Sequence, residues 1–236
     1  MKQWNVTFET KCYEKDWRHL LQTPRLETNL RYNRFQFKEA VLYINNVNDP
    51  EEVSFYADKL VQSGVLTSYT LVDRYASEAL DFFSIDKDSF NGGYYYSISE
   101  LVAIYLCRTD YLLHFSSDSI LAGPLEWVGP ALQNMEDDPR IKVANPTWNF
   151  SYEYAKQESV EENDGFYLGY GFSDQCYLIR TEDFRARIYN EKHPASQRYP
   201  AYGGELFEKR VDSWMRNHQY LRITYKHGSY IHRNFT

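Results

Sequence analysis

Much of what defines common protein classes is missing from this sequence. Its three cysteines, Cys12, Cys107 and Cys176, are widely spaced, odd in number and without a C-x-x-C pair. That excludes a disulfide framework and a cysteine zinc site, and points to a reducing compartment. No stretch approaches the roughly 20 apolar residues of a membrane span. The opening M-K-Q-W-N-V-T-F-E-T lacks the apolar run of a signal peptide. A cytoplasmic location is therefore expected, with attachment at a membrane face still compatible. The N-x-S/T triplets at Asn5, Asn149 and Asn234 then carry no expectation of glycosylation. Positive charge is in deficit, with a net charge of −7. A nucleic-acid partner would call for a basic patch and is not expected. A nucleotide site survives that test, because a bound metal ion neutralises phosphates locally. There is no Walker motif, no G-x-S-x-G and no H-E-x-x-H.

Aromatic residues are abundant: 22 Tyr, 14 Phe and 5 Trp. Such a supply fills core and also suits surfaces that stack on flat or sugar-like ligands. The 236 residues suffice for one α/β domain with its own core, and no linker or repeat divides residues 1–236.

The chain order predicts strands alternating with helices. Trp4–Thr10 alternates apolar and polar residues and reads as a strand, followed by helical segments over Tyr13–Gln22 and Arg25–Arg34. Ala40–Ile44 is an apolar strand that stops at the turn formers Asn45-Asn46-Val47-Asn48-Asp49-Pro50. Glu51–Gln62 is a helix closed by Gly64. Tyr69–Asp73 is a strand, a short helix carries Ala76, Ala79, Leu80 and Phe83, and Tyr94–Arg108 is a strong helix. Tyr111–Phe115 is a buried strand. Four such alternations imply right-handed crossovers and a mostly parallel sheet. The second half is less regular. A helix is expected over Pro124–Met135, strands over Ile141–Ala144, Cys176–Arg180 and Tyr220–Tyr225, and a helix from Gly203-Gly204-Glu205 to Asn217. Residues 145–171, rich in Tyr and with the acidic run Glu158, Glu161, Glu162 and Asp164, read as a long irregular loop.

The strand Tyr111–Phe115 ends abruptly in Ser116-Ser117-Asp118-Ser119. In open α/β sheets ligands bind beyond the carboxyl ends of the strands. Asp118 there suits a divalent cation or, equally, an N-cap on a following helix.

In the order of these features the chain resembles the GT-A fold glycosyltransferases, closest to the inverting family 2 type. Asn45-Asn46 stands where that family has a base-reading acidic turn. Tyr96-Ser97 and Thr109-Asp110-Tyr111-Leu112-Leu113 stand where it leads into its metal motif. Ser116-Ser117-Asp118 takes the place of Asp-x-Asp, with serine replacing the first carboxylate. Gly203-Gly204-Glu205 resembles the acidic motif of the general base, and His232 the late histidine ligand.

The resemblance implies a single GT-A-type domain with a nucleotide-sugar half, residues 1–121, and a smaller mixed acceptor half, residues 122–236. It implies transfer from a UDP- or GDP-sugar to a glycan or lipid-linked acceptor, with inversion, in surface polysaccharide or glycoconjugate synthesis. Asp118 and His232 would hold Mn or Mg. Thr10, Lys11, Asn45, Asn46, Asp73, Ser97, Ser116 and Ser117 are the candidate nucleotide contacts. Glu205 is the candidate base, with Asp174 as runner-up. Bland readings stand beside these: Glu205 favouring a helix dipole, His232 solvated, Asn45 and Asn46 simple turn residues, Lys11 paired with a carboxylate. The rival functions are a sugar nucleotidyltransferase, disfavoured by the glycine-free Thr10-Lys11-Cys12-Tyr13-Glu14, and a non-catalytic carbohydrate-binding or scaffold module.

Overall fold

Ten strands share one sheet among the residues described, 3–233, in this computed structural model. In chain order the strands and α-helices are β1 (Val6–Cys12), α1 (Trp17–Leu21), α2 (Arg25–Tyr32), β2 (Glu39–Ile44), α3 (Pro50–Gln62), β3 (Ser68–Leu71), α4 (Ala76–Phe83) and α5 (Tyr94–Leu106). Next come β4 (Tyr111–Phe115), β5 (Ser119–Leu121), α6 (Val128–Asp137), β6 (Ile141–Trp148), α7 (Tyr152–Gln157), β7 (Ser159–Glu162) and β8 (Phe166–Gly169). The last are β9 (Cys176–Arg180), α8 (Thr181–Arg185), α9 (Phe207–Asn217) and β10 (Leu221–His232).

The strands lie in the order β3-β2-β1-β4-β9-β6-β10-β8-β7, with β5 on β10. The first four are parallel throughout. Beyond β4 the sheet is mixed. β9 runs antiparallel to β4 and β6, while β10 is parallel to β6 and antiparallel to β5 and β8. The fold is therefore α/β, mostly parallel in its first half and mixed in its second.

Strand alternation explains the layers. Val6, Phe8 and Cys12 of β1, with Leu113 and Phe115 of β4, face a core shared with Trp17, Leu20, Val53, Ala57, Leu132 and Met135. Val41, Tyr43, Leu112, Tyr177 and Ile179 face the opposite core, with Phe83, Leu101, Phe184, Phe207 and Trp214. Each face is thus covered by helices, which is why the strands read as near-continuous apolar runs. The helix starts are individually fastened. Asp49 accepts from the N–H groups of Glu51 and Glu52 at 3.1 and 2.9 Å, with Pro50 at the first helical position of α3. Ser97 of α5 reaches across to accept the Phe207 N–H at 3.0 Å, capping α9 from another element.

Several expectations change. β1 extends to Cys12, two residues beyond Thr10, so Lys11 is a buried strand residue. The helix expected over Tyr13–Gln22 is confined to α1. Residues 145–171 are not an irregular loop: β6 runs on to Trp148, and α7, β7 and β8 follow. The acidic run reads as solvated in sequence, yet Glu161 and Glu162 lie on an edge strand and pair with Arg140 and Lys226. The last helix starts at Phe207. Gly203-Gly204 forms a turn, with Gly204 at φ 60°, where glycine is strain-free. The expected strand over Tyr220–Tyr225 continues to His232. Asp118 caps no helix, because the short strand β5 follows it. No helix among the described residues is long and apolar enough to cross a membrane.

Candidate active site

A cleft of about 720 Å³ opens beyond the carboxyl ends of β1 and β4. Lys11, Ser116, Ser117 and Asp118 line it from those strand ends, Lys15 and Asp16 from the loop after β1, Asp174 and Gln175 from the approach to β9, and His232 from the end of β10. Tyr13, Tyr95 and Tyr96 form an aromatic wall. Tyr13 stacks on Tyr95 with centroids 5.3 Å apart and planes at 21°.

Asp118 and His232 meet although they are 114 residues apart: Nε2 lies 3.1 Å from Oδ2. The antiparallel pairing of β10 with β5 brings this about by setting His232 opposite Ser119. Asn149 Oδ1 accepts the His232 N–H at 2.9 Å, fixing the strand end. Ser116 Oγ donates to Asp118 Oδ1 at 2.7 Å. Burial pushes the Asp118 carboxyl up, but the hydrogen bonds from His232 and Ser116 prevail and hold it below the usual carboxylate range. The same bond raises His232 against the opposing effect of its burial.

Asp16 is a third acidic group on this wall. It accepts from Ser117 Oγ at 2.5 Å and from the Tyr13 N–H at 2.7 Å. Burial raises its carboxyl to about 6 even so. Ser116 leaves a carboxylate missing from the D-x-D pattern, and Asp16 adds a carboxylate to the cleft from the loop after β1. An aspartate shortly after the first strand is the signal that could have found it. Asp118 and His232 offer an oxygen and an imidazole donor, a pair that fits a divalent ion such as Mn²⁺, while Asp16 is near enough for its carboxyl to feel the Asp118 charge but does not join them in one ligand cluster.

The remaining expected residues divide. Lys11 lines the floor of the cleft but is ion-paired with Glu100, and burial lowers its ammonium pKa. Asn45 and Asn46 each donate to the Tyr95 carbonyl at 3.1 Å, so they fix a cleft residue and are not themselves in its lining. Thr10 Oγ1 donates to the Phe115 carbonyl at 2.7 Å and joins the two strands. Ser97 is occupied by the α9 cap. Asp73 is exposed in a short turn after β3, away from the cleft lining. Glu205 is also outside the lining; its carboxylate pairs with Lys209 at 3.0 Å and its N–H donates to the Ser89 carbonyl at 2.9 Å.

One turn further on is a carboxylate that the sequence reading passed over. Glu208, in the first turn of α9, is outside the cleft lining like Glu205 but accepts from the backbone N–H of Asp174, which does line it. Burial and then the charge of Asp174 push its carboxyl up to about 8. Its sequence signal was the second glutamate of Glu205-Leu206-Phe207-Glu208.

By sequence the chain matches no family model and resembles no curated protein. By structure it is similar to glucosyl-3-phosphoglycerate synthase from Mycobacterium tuberculosis, solved with Mn²⁺, uridine diphosphate and glucosyl-3-phosphoglycerate. The TM-score is 0.54 at 12% identity, over 99% of this chain and 73% of that one. It is also similar to GalNAc-T7, solved with UDP, GalNAc and Mn²⁺, with a TM-score of 0.60 at 11% identity, over 97% of this chain and 44% of that one. The strand order, the cleft at the strand ends and these likenesses agree on one architecture: the chain is built on the GT-A fold of nucleotide-sugar glycosyltransferases.

Proposed function

We propose that the chain is a metal-dependent glycosyltransferase. It moves a sugar from a UDP- or GDP-sugar to a glycan or lipid-linked acceptor, with inversion, in surface polysaccharide or glycoconjugate synthesis on the cytoplasmic side. Residues 1–121 bind the donor and residues 122–236 the acceptor. The observation that carries this reading is the Asp118–His232 pair at the mouth of the parallel strands, with Asp16 beside it. The structural relatives contribute the precedent of UDP with Mn²⁺ on the same fold.

Asp118 and His232 would hold the cation, with Asp16 near enough to add to the negative field. When bound, the cation supplies Lewis-acid stabilisation of the diphosphate leaving group. Ser116 orients the Asp118 carboxylate, and Ser117 orients Asp16. The Tyr13–Tyr95 stack offers a face to the nucleobase, and Asn45 and Asn46 fix Tyr95 by its carbonyl. The base is the Asp174–Glu208 pair. Asp174 lines the cleft, and the two carboxyl groups share one environment in which Glu208 is raised. A carboxylate tuned toward neutrality is well matched to removing the acceptor hydroxyl proton. In this reading Glu208 takes the role that the sequence pattern gave to Glu205.

The test is a thermal-shift series with UDP, GDP and their sugars, with and without manganese. Ligand that binds only the folded chain raises the melting temperature. A manganese-dependent rise with one nucleotide class is expected. No rise with any nucleotide sinks the proposal.

A further inference from the structure

Two arginines converge where the acceptor half meets the candidate base. Gly171, at φ 108°, opens the segment that leads to Asp174. A β-carbon at Gly171 would stand 2.6 Å from Arg198 Nη2 and 3.4 Å from Arg222 Nη1. The two guanidinium groups therefore face one another across a residue that has no side chain to separate them.

Neither makes a close ion pair. Arg198 Nη2 donates to the Tyr199 hydroxyl at 3.2 Å but reaches Asp212 only at 3.5 Å, and Arg222 reaches Glu158 only at 3.5 Å. A well-formed guanidinium–carboxylate bond spans about 2.7–2.9 Å, the distance at which Arg216 holds Asp212, 2.8 Å. Arg222 is buried, and its Nε–H has no acceptor. Buried donors without partners are uncommon and costly. Charge gives the same picture. Arg198, Arg216 and Arg222 form ion pairs locally with Asp212 and Glu158. Glu208, which feels Arg198, is raised by burial and by Asp174. Asp174 lies near Lys11 as well. The Arg198 side chain is 43% exposed, so the pair opens to solvent on that side.

We infer that Arg198 and Arg222 form a binding site for an oxyanion, a phosphate or carboxylate group carried by the acceptor. Such a group would meet two planar donor forks, satisfy the orphaned Arg222 N–H and relieve the repulsion between the guanidinium groups. It would also hold the acceptor beside the Asp174–Glu208 pair. The word acceptor rests on the glycosyltransferase reading; the oxyanion site does not.

Isothermal titration measures inorganic phosphate and malonate against the full chain, alone and saturated with UDP and manganese. Saturable binding is expected, undiminished by the nucleotide. Tighter phosphate assigns a phosphoryl acceptor; tighter malonate assigns a carboxylate. Arg198→Gln should weaken the anion at least tenfold, about 1.4 kcal/mol, and leave UDP binding unchanged. Arg198→Lys should restore part of the loss. Arg140→Gln removes the same charge from a surface ion pair with Asp138 and Glu161 and should change nothing. The proposal is overturned if the wild type binds neither anion, if UDP displaces the anion, or if Arg140→Gln weakens it as much as Arg198→Gln does. Failure of both UDP and, in its place, GDP to bind would instead remove the glycosyltransferase reading and leave the anion result to decide this site.

Discussion

Two clusters of carboxylate and histidine lie close together on this sheet, and they behave as opposites. Beneath the cleft, Glu9 of β1, His114 of β4 and Glu100 of α5 bring ligand-type atoms within 4.8 Å of one another. Alternation along β1 and β4 turns Glu9, Lys11 and His114 toward α5, so the group is sealed between sheet and helix. Lys11 pairs with Glu100, His114 bonds Glu9, and the Tyr177 hydroxyl donates to Glu100. At the cleft, Asp16, Asp118 and Asp174 share the lining with His232, Lys15 and the already committed Lys11, and Arg25 lies near Asp16 and Asp118. By distance alone the buried cluster is the better metal site. Solvent access reverses that ranking. The inner cluster is closed on its own ion pair and hydrogen bonds, and the outer one is open to solvent with room for a ligand.

The largest effect should come from breaking the inner cluster. Glu100→Ala takes the paired carboxylate from Lys11 inside the protein, at a cost of about 3–5 kcal/mol. Urea denaturation reads this directly; a loss below about 1 kcal/mol would mean that the cluster is open to water. At the outer cluster, Asp118→Ala loses the hydrogen bonds from His232 and Ser116 and should cost about 1–2 kcal/mol in urea, less than Glu100→Ala. It should abolish the manganese-dependent part of nucleotide stabilisation, which in the wild type reaches about 2.7 kcal/mol at a hundredfold excess over Kd. Persistence of that part in the variant would remove Asp118 from the cation site.

A smaller effect separates the clusters by pH. The Glu208 carboxyl is raised to about 8 in the folded chain, against an ordinary value near 4.3 in the unfolded chain. Its protonated form therefore favours folding. That contribution is fully present below about pH 4 and is lost as pH rises through about 8. Glu208→Gln, which cannot ionise, should melt above the wild type at pH 9 and close to it at pH 5. Transfer activity in the wild type should climb over the same upper range, and the variant should lose the climb. Equal melting curves at pH 9 would show Glu208 to be solvated. The smallest effect should be that of Ser97→Ala, which removes the cap on the Phe207 N–H and costs about 1 kcal/mol, with no change in nucleotide affinity.

Legibility in the sequence follows the same division. The parallel half could be read because each strand is buried on both faces and each helix has one apolar side. Asp118 could be read because a polar cluster interrupts a buried run. His232 entered through the family pattern, and only the β5–β10 pairing shows how it reaches Asp118. Residues 145–171 hid two strands, because an edge hairpin such as Ser159–Glu162 carries polar residues on its exposed face and lacks a core signature. Glu205 and Glu208 are a single helical turn apart, and their difference is tertiary. One pairs with Lys209, and the other turns toward Asp174. Ser97 and Thr10 had the right chemistry for a nucleotide, but backbone groups of α9 and β4 use them first.

The route of the chain into the cleft also sets an order of assembly. During synthesis Asp16 and Asp118 emerge early, and the parallel strands that carry them can pair among themselves. His232 is the last of the cleft residues to leave the ribosome, at the end of a strand that must insert between β6 and β8 and also pair with β5. A nascent chain is thus without its full cation-binding set until β10 docks, so the site is completed only with the last step of sheet formation.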